Sequence, residues 1–74
     1  MSEMIVLDQT GDTRMMWDPD VKDEVDAAKA TFDKMKKKGY LAYTVKKNGE
    51  PGEVVREFDK KAGKIIMTPQ LVGG

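Results

Sequence analysis

The alternation of apolar and polar positions predicts two short strands at the start of the chain. Met4–Leu7 is an apolar run that ends at Asp8, and Thr13–Trp17 is a second run with strand-forming residues. Between them, Gln9–Asp12 contains Gly11, which can adopt the positive φ that many turns require. We therefore expect the two runs to pair as a β-hairpin.

A helical period follows the hairpin. Apolar residues recur at spacings of four, three, four and three, which places them on one face of a helix: Val21, Val25, Ala28, Phe32 and Met35. Asp18 and Asp20 can cap its start, and Pro19 suits a first turn. Gly39 suits the residue after its end, so the predicted helix is Asp20–Lys38. A single apolar stripe needs a flat apolar surface to cover, and a sheet provides one.

Three more strands are predicted after the helix. Tyr40–Val45 alternates between faces, and Asn48-Gly49 and Pro51-Gly52 then mark turns. Glu53–Phe58 has mixed faces, as near the edge of a sheet, whereas Lys64–Thr68 is apolar on both faces, as in an interior strand. The order ββαβββ predicts the α+β class, as a single two-layer domain with one helix packed on a mixed sheet.

The composition excludes several kinds of site. The chain of 74 residues has no cysteine and no histidine, so it offers no thiolate, no disulfide and no imidazole base or ligand. Ser2 and the threonines lack a histidine that could activate them. Asp18 begins an acidic run, but Lys22, Asp23 and Lys29 occupy positions that a calcium loop needs for other residues. We expect a protein that is not an enzyme and binds no metal or cofactor.

Charge is distributed unevenly along a chain of zero net charge. Residues 1–33 contain nine acidic and three basic residues, and residues 34–74 contain four acidic and ten basic residues. Part of this asymmetry complements the helix dipole. Eight lysines could also form one basic patch with Tyr40 and Tyr43 as stacking rings: Lys34, Lys36, Lys37, Lys38, Lys46, Lys47, Lys60 and Lys61. The neutral chain and the lack of an RNA-binding signature count against nucleic acid.

Trp17 is the single tryptophan of the chain. It either closes the hairpin against the start of the helix or anchors a partner surface. The sequence leaves both interpretations open.

The start of the chain predicts a location in the cytoplasm. Met1–Met4 contains no basic region followed by an apolar segment, as a secretory signal would. The longest apolar run is only a few residues, far too short to span a bilayer. We therefore expect a cytoplasmic protein that does not engage a membrane.

The last stretch of the sequence is K-I-I-M-T-P-Q-L-V-G-G, a strand followed by a proline and two glycines. With the hairpin and helix before it, this ending resembles the β-grasp ubiquitin-like family, above all its small sulfur carriers. The matching residues are Ile65, Ile66, Met67, Pro69, Val72, Gly73 and Gly74. In that family the last strand lies beside the first, in parallel. The short separation between Phe58 and Lys64 favours instead a direct hairpin of the last two strands, so both sheet orders stay open.

The resemblance implies a function for the end of the chain. Residues 1–68 would form the domain and residues 69–74 a flexible C-terminal tail. Gly73 and Gly74 would be the reactive or conjugation residues, activated by a partner adenylating enzyme of the E1 type, and Leu71 and Val72 would bind that partner. The alternative is a small non-catalytic interaction or assembly module, of viral or mobile-element origin. A third reading is nucleic-acid binding through the lysine-rich face.

Overall fold

The computed structural model describes residues 1–8, 10–46 and 48–69. Its elements are the strands β1 (Ser2–Val6), β2 (Thr13–Trp17), β3 (Tyr40–Val45), β4 (Pro51–Val54) and β5 (Lys64–Pro69), with the helix α1 (Lys22–Lys37) between β2 and β3. The predicted α+β class and the order ββαβββ are confirmed, with α1 on one face of a five-stranded mixed sheet. The arrangement is consistent with a β-grasp-like class.

The strand order in the sheet is β2-β1-β5-β3-β4. β5 pairs in parallel with β1 and antiparallel with β3, so it occupies the centre. The interior position predicted for the last strand and the edge position predicted for β4 are therefore confirmed. The direct hairpin between the last two strands is wrong, because β3 lies between β4 and β5.

β4 lies earlier in the sequence than predicted. It comprises Pro51–Val54 instead of Glu53–Phe58, so the second turn dipeptide belongs to the strand. Val55 and Phe58 instead leave the sheet and pack against the core. Since β4 and β5 are both antiparallel to β3, they run in the same direction. Residues 55–63 must therefore return along the length of the sheet, and we call them the crossover segment.

An aromatic cluster holds the crossover segment against the domain. The ring of Phe58 lies between Trp17 and Phe32, with centroid distances of 5.2 and 5.7 Å. Trp17 is fully buried, and its indole Nε1 donates a hydrogen bond to the carbonyl oxygen of Lys60 at 3.0 Å. The structural interpretation of Trp17 is thus correct, since no part of it is exposed to a partner.

The core lies between α1 and the face of the sheet that it covers. Its buried apolar residues are Met4, Val6, Trp17, Ala28, Phe32, Ala42, Ile65 and Met67. Of the predicted helical stripe, Ala28 and Phe32 are fully buried, whereas Val25 and Met35 are half-buried at the margin. The predicted first member, Val21, precedes the helix and is exposed.

The start of α1 differs from the prediction. The helix begins at Lys22 instead of Asp20, and its N-cap residue is Val21, which has no side-chain capping bond. Asp18 instead forms a turn, in which its carboxylate accepts from the Asp20 N–H at 2.9 Å and its carbonyl accepts from the Val21 N–H at 3.0 Å. The Glu24 carboxylate reaches back to the Asp18 N–H at 3.1 Å. Asp18 therefore stabilises the turn that leads into the helix and does not cap the helix itself.

Candidate functional site

The end of β5 and the end of α1 lie at the same end of the fold. Pro69 is the last described residue, and it pairs with Tyr40 at the start of β3. β5 therefore includes Pro69, which the sequence assigns to the tail. Tyr40 directly follows Gly39, which ends the helix with a φ of +94°. Pro69 thus lies close to the last turn of the helix.

The residues that the resemblance implicates follow this point. Leu71, Val72, Gly73 and Gly74 lie outside the described residues, so their roles stay predictions. The structure instead fixes the strand that precedes them. Thr68 pairs with Leu41 and Met67 is fully buried, so β5 is anchored almost to its last residue.

A cluster of lysines lies at this same end of the fold. We call Lys34, Lys36, Lys37 and Lys38 the lysine end. An open depression of about 440 Å³ is lined there by Ala30, Asp33, Lys34, Lys37 and Lys38. The carboxylate of Asp33 accepts a hydrogen bond from Lys29 Nζ at 2.7 Å, so it is already paired. Spacings of three and four residues place the lining side chains on one side of the helix.

The eight lysines do not form the single patch that the sequence allowed. The lysine end precedes the start of β3, whereas Lys46 follows the opposite end of that strand. Lys60 lies beside Trp17, near the start of α1, and Lys61 follows it. Lys47 is outside the described residues. The described lysines of the predicted patch are therefore separated between two ends of the domain.

The face of the sheet opposite α1 carries an apolar row. Strand register aligns Ile5 with Ile66, Ile66 with Tyr43 and Tyr43 with Val54, across β1, β5, β3 and β4. We call these four residues the open row. Three of them are half-buried, and Val54 is 57% exposed. Tyr40 lies on the other face of β3 and packs against the core, so the two tyrosines do not form one stacking surface.

The period-two pattern of the sequence indicates part of the open row. The alternation in Tyr40–Val45 assigns Tyr43 to one face together with Leu41 and Val45. The matching residues on other strands could not be found in this way, because their alignment depends on the strand order and register.

An ion cluster borders the open row near the start of β1. The Glu3 carboxylate accepts a hydrogen bond from Arg14 Nε at 2.6 Å, and Lys64 Nζ lies 3.4 Å from its other oxygen. The bond from Arg14 is the main cause that lowers the pKa of Glu3 below its ordinary value, and the charges of Arg14 and Lys64 add to it. The cluster fixes one strand to its neighbours on both sides and keeps Glu3 ionised.

Within the described ranges, no group of three or more histidine, cysteine, aspartate or glutamate side chains could hold a metal ion. The helix found there is too short and too polar to cross a membrane. Comparison with protein-family models, curated proteins and solved structures finds no match to the chain. The structure itself thus provides two candidate binding surfaces, which are the lysine end beside the end of β5 and the open row.

Proposed function

We propose that the chain is a ubiquitin-like carrier or modifier with a β-grasp fold, acting through the carboxylate of Gly74. The observation that supports this proposal is the position of β5. It is the central strand, it runs parallel to β1, and it ends at Pro69, shortly before Gly73 and Gly74. A domain in which the last strand is held firmly at the centre of the sheet suits a protein whose reactive carboxylate follows that strand.

The chemistry would belong to a partner enzyme, an adenylating enzyme of the E1 type. A Gly74 carboxylate oxygen attacks the α-phosphorus of ATP and releases pyrophosphate, which leaves an acyl adenylate. Hydrosulfide then displaces AMP to give a thiocarboxylate, or a cysteine thiolate displaces AMP to give a thioester, from which a lysine amine takes the acyl group and releases the thiol. Gly73 and Gly74 let the backbone enter a narrow channel because neither has a side chain. Leu71 and Val72 would fix the register by contact with the partner. Since this chain lacks cysteine, a thioester cysteine would be the partner's.

Intact-mass measurement tests the proposal. The Gly74 carboxylate must be free in the mature protein, directly or after cleavage of an extension, so the mass of the protein isolated from its own cells comes first. Incubation with ATP and a lysate of those cells should then replace one oxygen by sulfur or add a covalent partner.

Two variants make the result specific. Deletion of Gly73 and Gly74 should abolish the change, whereas Gly63→Ala, a substitution within the domain, should leave it intact. A mature chain that lacks a free Gly74 carboxylate, or a truncated chain modified as well as the intact one, would contradict the proposal.

A non-catalytic interaction module is the second candidate, and the open row favours it. Aligned apolar side chains on an uncovered sheet face are typical of surfaces that bind another protein. Val54→Glu places a charge on the most exposed member of the row and should not disturb the core. Under this candidate, Val54→Glu abolishes non-covalent partner capture from the source cells and deletion of Gly73 and Gly74 does not. The opposite result favours the carrier.

A further inference from the structure

The lysine end has a local excess of positive charge. Earlier along α1, Lys22 pairs with Asp26 and Lys29 pairs with Asp33, each at 2.7 Å. No ion pair in the described part of the chain includes a residue of the lysine end. The negative end of a helix dipole is equivalent to about half a charge, so it balances only a small part of four lysines.

A second depression, at the other end of α1, has a lining in which the charges balance. It measures about 530 Å³, lies at the start of α1 and is lined by Pro19, Asp20, Lys22, Val25, Asp26 and Lys60. Its two lysines face two carboxylates. The depression at the lysine end has three lysines and one carboxylate, which Lys29 already neutralises. Of these two depressions, the one at the lysine end is therefore the more attractive to an anionic partner.

The surroundings of the lysine end favour an acidic protein segment over a nucleic acid. Single-stranded nucleic acids need exposed rings on which bases stack. Trp17 and Phe32 are buried, while Phe58 and Tyr40 pack against the core. Tyr43 lies on the opposite face of the sheet. The small, exposed Ala30 at the lysine end lets a peptide backbone approach closely.

We propose that the lysine end is a docking surface for an acidic segment of a partner protein. The identification of that partner as the enzyme that handles the C-terminus rests on the proposed function, whereas the charge recognition does not. Because the lysine end lies beside the end of β5, a partner bound there is close to Pro69, which precedes Gly73 and Gly74 by a few residues in the sequence. Electrostatic attraction of this kind mainly raises the association rate and weakens with salt.

Amide NMR of the full chain, titrated with a short polyglutamate peptide at low salt, tests the proposal. We expect shifts concentrated at the lysine end and at Tyr40. The triple variant K34Q/K37Q/K38Q should bind about tenfold more weakly, since each exposed ion pair is worth a few-fold in affinity. The matched variant K46Q/K60Q/K61Q has the same net charge and should bind within about twofold of the unmodified protein. All six residues are exposed, so the spectra of the free variants should be unchanged away from the substituted positions, which would verify their folds.

Three results would overturn the proposal: equal loss of binding in the two variants, shifts at both ends of the domain, or tighter binding of a short oligothymidylate than of polyglutamate at the same residues. The last result would assign the surface to nucleic acid. The titration does not involve Gly74, so it can succeed when the intact-mass experiment fails and can fail when that experiment succeeds.

Discussion

Gly52 lies where β4 approaches β3 too closely for a side chain. The register shifts between Tyr43 and Val45, and there the Thr44 hydroxyl accepts a hydrogen bond from the Glu53 N–H at 3.0 Å. A Cβ at position 52 would press against Thr44 Oγ1 and lie 3.2 Å from the Thr44 carbonyl oxygen. The close approach of two strands, and not an unusual φ, therefore requires glycine at this position.

Gly52→Ala should lower the free energy of unfolding by about 1–3 kcal/mol, the usual cost of overpacking. Urea denaturation measures the change. Gly63→Ala is the matched control, because a Cβ there meets nothing within 4 Å and the φ of Gly63 is not in the left-handed region. It should stay within about 0.5 kcal/mol of the unmodified protein. Equal losses in the two variants would show that contact with Thr44 is not the cause.

The pKa of Glu3 gives a prediction about acid. Arg14 lowers this pKa in the folded state. Ionised Glu3 therefore stabilises the fold at pH values above the pKa that it has in the unfolded chain, about 4.3. That contribution is lost as the pH falls through the lower, folded value. Carboxyl NMR titration should find a pKa below the ordinary range, and Arg14→Gln should raise it.

Lys22→Gln provides the control for this titration, because Lys22 pairs with Asp26 and makes no contact with Glu3. It removes the same charge as Arg14→Gln and should leave the Glu3 pKa in place. A Glu3 pKa that moves equally in both variants would mean that net charge, and not the bond from Arg14, sets it.

At the scale of elements, Phe58 packs the crossover segment against the core. Phe58→Ala should destabilise the protein by about 2–3 kcal/mol, less than the 3–5 kcal/mol typical of a fully buried phenylalanine, because Phe58 is only half-buried. The single tryptophan reports the change directly, since Trp17 contacts Phe58, and its emission should shift to the red. Phe58→Leu keeps most of the apolar volume and should lose less than half as much. An unshifted emission in Phe58→Ala would show that the segment does not depend on this ring.

The elements were predicted correctly where the apolar pattern was distinctive over the whole element. The stripe around Ala28 and Phe32 identified the helix, and two apolar faces identified β5 as interior. The prediction failed for β4, because Val55 and Phe58 resemble strand residues in a local pattern. Both are apolar because they pack on the core from an irregular segment, and a local pattern does not distinguish that packing from a place in the sheet.

At the scale of the whole molecule, the last buried residue of the described ranges is Met67, two positions before Pro69. A chain shortened to end at Pro69 keeps every buried core residue that the structure describes, and we predict that it unfolds within about 0.5 kcal/mol of the full chain. A chain ending at Ile66 loses buried Met67, whose carbonyl also accepts from the Leu7 N–H at 2.9 Å. It should show no cooperative unfolding by circular dichroism. Marked destabilisation of the first chain would mean that residues 70–74 support the fold.

The strand order was the part of the molecule that the sequence could not determine. Residues 59–63 are few enough for a hairpin, but Phe58 packs against Trp17 and Phe32, and the chain crosses the sheet instead. The position of the candidate site was likewise not determined by the sequence. The lysines were visible in the sequence, but their separation into two ends depends on which end of β3 each group adjoins.

The central place of β5 has a consequence for how the protein is made. β1 pairs with β2, and β3 pairs with β4, and within the sheet β5 is the strand that joins these two hairpins, which α1 also contacts. A ribosome synthesises β5 after the other strands, so the nascent chain lacks the strand that joins its two hairpins until residues up to Thr68 have left the exit tunnel. Arrested nascent chains of increasing length should therefore become protease-resistant in one step at that length. Gradual resistance, acquired from the first hairpin onward, would show that the hairpins are stable without the strand that joins them.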